Sequence, residues 1–94
     1  MERGLLMPYI KPEDRSELAA FSDDLSDLIR SVGELNYVIT RICHNWIEKT
    51  GKRYTHLNQV MGVLECAKLE FYRMVVSQYE NQKILENGKV SEVD

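Results

Sequence analysis

The sequence predicts an all-α protein, a compact helical bundle or hairpin with one long C-terminal helix, forming a homo-oligomer. Three observations carry this. Between Thr55 and Asn87, apolar residues recur at three- and four-residue steps: Leu57, Val60, Leu64, Ala67, Phe71, Met74 and Val75. A second apolar line, Met61, Leu69, Tyr72, Val76 and Tyr79, runs roughly 100–180° around the same helix, and only Glu65 and Lys83 put charge into it. The chain has 94 residues, enough for one domain that is only marginally stable alone. A helix apolar on two sides must be covered on two sides. At about 1.5 Å per residue it would be nearly 50 Å long, whereas a compact domain of this size is about 25–30 Å across. The expectation is that one stripe packs internally and the other builds a subunit interface. The alternative is a helix sandwiched within its own bundle. Gly62 costs about 1 kcal/mol against Ala in such a helix and marks a kink, a close crossing or a tolerated residue.

The elements follow in order within a single domain, residues 1–94. Residues 1–12 read as an extended leader, because Pro8 and Pro12 disfavour helix before them. Met7 is an alternative start to Met1, and Tyr9 and Ile10 form an apolar pair on this strap. Helix one is expected over 13–31, with Pro12 in its first turn and Glu13 and Asp14 at its positive end. Leu18, Phe21, Leu25, Leu28, Ile29 and Val32 form its stripe, and Ser22, Asp23, Asp24, Ser26 and Asp27 form a solvated acidic face. Gly33 is expected to separate it from helix two, 34–50, whose core stripe is Leu35, Val38, Ile39, Ile42 and Trp46. Beside that stripe lie Asn36, Tyr37, Thr40 and His44, a polar but uncharged sector suited to a ligand or another helix. Gly51 is the expected residue just past the end of helix two. Lys49, Lys52 and Arg53 with Tyr54 crowd cations and an aromatic into the following turn, and Thr55 is the candidate N-cap of helix three, 55–87. Such a turn either stays solvated or contacts an anion. Gly88 supplies the last cap, and 88–94 is a polar tail.

Composition narrows the function. A net charge of −3 and an isoelectric point near 5.4 argue against general nucleic-acid binding. No run of 18 apolar residues is present, so no membrane span is expected, and the first residues lack a secretory apolar region; the reading is cytoplasmic. Cys43 and Cys66 are expected as buried, reduced thiols. Cys43 and His44 point about 100° apart on a helix, which does not suit zinc, and no metal or cofactor is expected. No nucleophile motif is present and no catalytic residue is assigned. Glu65 reads first as an ion-pair partner of Lys68 at i,i+3, or else as a carboxylate that reads a ligand's polar edge.

One constellation remains as a candidate binding site. Arg41, Arg53, Lys68 and Arg73 are phosphate-pairing cations; Tyr37, Tyr54 and Tyr72 are stacking aromatics; Asn36, Thr40 and Glu65 can read polar edges. Lining of one pocket by residues from two subunits would bring them together, and the competing reading is that the tyrosines are interface or core-edge aromatics.

Particular motifs add a resemblance. Met7-Pro8-Tyr9-Ile10, Gly33-Glu34-Leu35-Asn36-Tyr37-Val38-Ile39-Thr40, Leu64-Glu65-Cys66-Ala67-Lys68-Leu69-Glu70-Phe71-Tyr72-Arg73, Tyr79-Glu80 and Asn87-Gly88 resemble an uncharacterised family of small phage and prophage proteins. The resemblance covers about two thirds of the chain, least clearly over Met1–Leu6 and helix one. It implies a phage-encoded protein in a bacterial host, and no activity. By analogy with small phage proteins that sequester nucleotide immune signals, the leading expectation is a non-enzymatic homo-oligomer that binds a cyclic nucleotide or ADP-ribose derivative. A helical adaptor that binds a host or phage protein through the second stripe stands beside it. A small hydrolase with Glu65 or His44 as base is the third reading.

Overall fold

The computed structural model describes residues 10–89. The readings made for residues 1–9 and 90–94, including Tyr9 on the strap and the choice between Met1 and Met7, lie outside them. The described residues are helical with no strand, and the longest helical stretch is C-terminal, as the apolar periodicity requires.

Helix one is shorter than its pattern at both ends. Pro12 opens a 3-10 turn, Pro12–Asp14, closed by the Arg15 N–H to the Pro12 carbonyl at 3.2 Å. The Arg15 Nε donates to the Ile10 carbonyl at 2.9 Å and ties the end of the strap to the helix start. Helix α1 proper is Ser16–Leu28, because Ile29 turns to extended backbone at φ −84°, ψ 121°.

Helix α2 is Val32–Thr50, and Gly33 lies inside its first turn instead of separating two helices. The start is set by a cap that the sequence spells as Ser-x-x-Glu. The Glu34 N–H donates to Ser31 Oγ at 3.1 Å, and the Arg30 N–H donates to Glu34 Oε1 at 2.7 Å. These side chains satisfy donors at the helix start, so the glycine does not decide the boundary. At the other end Gly51 has φ +109°, ψ 144°, and its N–H bonds the Ile47 carbonyl at 2.7 Å. That backbone region is nearly reserved for glycine.

The long helix begins as α3, Tyr54–Phe71, capped by Arg53, so Thr55 sits within the first turn and not at the cap. A wide π-turn, Tyr72–Val76, leads without a break into α4, Ser77–Asn87. In that turn the Ser77 N–H reaches the Tyr72 carbonyl, five residues back. The irregularity therefore lies at Tyr72–Val76 and not at Gly62, where an added Cβ would meet nothing within 4 Å. One extra residue in a turn rotates everything after it back by about 100°. Val76 and Tyr79, expected on the second stripe with Tyr72, are thereby carried toward the first. Gly88, at φ +87°, ends α4.

Packing is concentrated at one corner. The backbones of α2 and α3 approach each other around Gly51, while that of α1 comes within packing distance of neither α2 nor the long helix. Cys43, Ile47, Thr50, Gly51, His56 and Val60 are half-buried there, and no described residue is fully buried. The radius of gyration is 17.2 Å, where a compact chain of this length would have about 12 Å, and the longest extent is 49 Å. Accessible area gives the same result. The chain exposes 8727 Å², against about 5,600 Å² for a compact 11.0 kDa monomer. Assigning the fourteen end residues the full area of an unfolded chain, about 2,400 Å², still leaves the described part roughly 1,300 Å² above its compact value. No helix among the described residues is long and apolar enough to cross a membrane.

Candidate functional site

The ten candidate residues fall into three groups along the fold. Asn36, Tyr37, Thr40 and Arg41 are on the first half of α2, all exposed. Among the described residues their side chains make no hydrogen bond, ion pair or ring contact. Arg53 and Tyr54 stand at the start of α3, with Tyr54 79% exposed. Glu65, Lys68, Tyr72 and Arg73 lie around the middle of the long helix and are tied to neighbours on it. The half-buried corner separates the first group from the third.

Local pairing explains the third group. Lys68 Nζ is 3.3 Å from Glu65 Oε2, the i,i+3 ion pair that their spacing allows. The Arg73 Nη2 donates to both oxygens of Glu70, at 2.9 and 3.1 Å. The Tyr72 hydroxyl donates to Glu80 Oε1 at 2.7 Å. That last contact depends on the π-turn. Eight residues at about 100° each overshoot two full turns by about 80°, and the extra residue takes up the excess. Hydrogen bonding to the Glu80 carboxylate, reinforced by its negative charge, holds the Tyr72 phenol above its ordinary pKa.

The corner contains a residue that sequence reasoning passed over. The His56 Nδ1 lies 2.8 Å from the Gly51 carbonyl, and a carbonyl only accepts, so this nitrogen carries the proton and donates. The same carbonyl accepts the Arg53 N–H at 3.0 Å. Thr50 Oγ1 donates to the Trp46 carbonyl at 2.9 Å, and Lys49 Nζ stands 5.6 Å from the centre of the Trp46 ring. His56, five residues after a helix-ending glycine, was the available signal. Cys43 and Cys66 are free thiols but only half-buried, not buried as their apolar-rich helical segments led one to expect, and no group of three or more metal-ligating side chains gathers among the described residues.

Residues 7–90 match the family model for a domain of unknown function, DUF6899. The chain belongs to this family. The match takes in helix one, one of the two parts with the weakest resemblance by motif, and leaves out the other, Met1–Leu6. No curated protein and no solved structure matches the chain.

Proposed function

We propose that this member of the DUF6899 family is a non-enzymatic binding protein that completes its core by associating with copies of itself. The carrying observation is that no described residue is fully buried although the apolar stripes are well formed. Ile42 and Val75, one on each long element, are 54% and 51% exposed. Stripes of this kind stabilise a fold only when covered. The excess exposed area also exceeds the roughly 800 Å² that each partner contributes to a standard interface.

Within such an assembly the ligand is a phosphorylated nucleotide-type signal, a cyclic nucleotide or an ADP-ribose derivative. Among the described residues, Arg41 and Arg53 are exposed cations that hold no carboxylate, and Tyr54 beside Arg53 offers a stacking face. Lys68 and Arg73 are engaged with Glu65 and Glu70 and would exchange those partners for phosphate. In a phage-encoded setting inside the bacterial cytoplasm, sequestration of this ligand would blunt a nucleotide-triggered defence. Native mass spectrometry with and without cyclic dinucleotides and ADP-ribose tests the reading. The expected result is a defined oligomer that takes up ligand in a fixed ratio per subunit, with Arg53→Ala losing ligand but keeping the oligomer. A monomer that binds none of them overturns it.

The second reading is a helical adaptor for a host or phage protein. The observation in its favour is the local pairing of Lys68 and Arg73, which leaves exposed Met61, Leu69 and Tyr72 as the accessible features of the second stripe. Ligand-free oligomers that capture one defined partner, with capture abolished by Leu69→Glu, would favour it.

A further inference from the structure

We infer that α1 is an exchange arm: its apolar stripe docks on the α2 stripe of a second copy, guided by its flanking carboxylates and the partner's basic corner. This rests on the self-association proposed above and specifies how it is built. Most of the arm's stripe is open: Leu18, Phe21 and Leu28 are 59%, 68% and 70% exposed, Leu25 and Ile29 are half-buried, and among the described residues neither α2 nor the long helix packs against it. The junction holds it away from its own chain. Ile29 is extended, its N–H bonds the Ser26 carbonyl at 3.1 Å, and the Ser31–Glu34 cap fixes the start of α2. Folding α1 back onto α2 of the same chain would require that capped junction to be remade.

The α2 stripe fits the arm in length and charge. From Leu18 to Leu28 is about 15 Å along a helix, and from Leu35 to Trp46 about 16 Å. At about 100° per residue, Glu17 and Asp24 lie about 60° and 80° from the centre of the α1 stripe, at the rim of a contact, while Asp23 and Asp27 face away. On α2 the apolar line Leu35, Val38, Ile39, Ile42, Trp46 is continued by Lys49, within about 40° of its centre, and Lys52 follows in the turn. An acidic rim on one surface and cations at the end of the other are complementary. The partner is a second copy of this chain because both surfaces, their matched lengths and their opposite charges belong to it.

The experiment uses two charge-reversed full-length chains. One carries Glu17→Lys and Asp24→Lys, the other Lys49→Glu and Lys52→Glu; all four side chains are exposed, and circular dichroism verifies helicity. Each variant alone is expected to self-associate about tenfold more weakly than the natural chain. Mixed in equal amounts, they are expected to form the heteromer in preference to either homomer, seen by native mass spectrometry. Phe21→Ser should weaken association in every mixture. Statistical mixing, or variants that assemble like the natural chain, would overturn the exchange arm while leaving self-association standing. A natural chain that is monomeric would overturn both.

Discussion

The α2–α3 corner and the α1 arm are built from similarly apolar sequence, yet only the corner is organised within one chain. At the corner, Gly51 at positive φ turns the chain, His56 and Arg53 share its carbonyl, and Thr50 and Lys49 close over Trp46. These are contacts over two to five residues, so ordering them closes only small loops. The arm has a stripe of comparable quality, and among the described residues no bond joins it to α2 or the long helix. Hydrophobic patterning states how much area must be covered, and short-range polar geometry states where coverage starts. The contrast predicts a molecule whose corner is set early and locally, with the remaining burial dependent on concentration.

Breaking association should have the largest effect. Replacing half-buried Val76 by Glu places a charge where the long helix needs an apolar partner, and an unpaired charge at an interface costs several kcal/mol. The expected outcome is a dissociation constant raised about a hundredfold or more, read by analytical ultracentrifugation, with a Tm that no longer rises with protein concentration. An unchanged oligomer would remove the long helix from the interface. Next comes Gly51→Ala. A Cβ has room there, 3.9 Å from His56 Nδ1, so the loss comes from the backbone and should be about 1–3 kcal/mol. His56→Ala should cost about 1 kcal/mol by removing one hydrogen bond, and both corner substitutions should leave the subunit count unchanged. Gly62→Ala sharpens the comparison from the other side. Nothing lies within 4 Å of its added Cβ, so helix propensity alone predicts a gain of about 1 kcal/mol in urea melts. A loss instead would reveal a second chain crossing at Gly62.

The sequence made the helical class legible because period, length and end signals agreed. Asn87-Gly88 and Thr50-Gly51 stopped their helices where expected, since only glycine enters those backbone regions without strain. Gly33 does not mark the start of α2, because the Ser31–Glu34 cap supplies bonding there and a glycine supplies only permission. The Glu65–Lys68 pair followed from spacing alone. The π-turn did not: nothing in Tyr72–Val76 distinguishes it from ordinary helix, and its consequence, turning Tyr72 over Glu80, appears only in three dimensions. The candidate site was legible as residue types and not as a place. Its members are spread over both long helices on one chain, and no single-chain periodicity encodes what a second chain brings.

The smallest effect tests the π-turn itself. Tyr72 donates to Glu80 eight residues on, which an unbroken α-helix would place about 80° apart around the axis. The phenol is raised above its ordinary value of about 10 by that hydrogen bond and by the carboxylate's charge. For a group whose pKa is raised on folding, the favourable contact is fully present below the unfolded value and is lost as pH climbs through the folded one. The contribution therefore holds at neutral pH and disappears only in the alkaline range above about 10. Spectrophotometric titration should show a tyrosine ionising above the ordinary value of about 10. Tyr72→Phe should delete that step, and Glu80→Gln should move it down in pH. If Glu80→Gln left the titration unchanged, Tyr72 would not face Glu80, and the long helix would run through Tyr72–Val76 with regular turns.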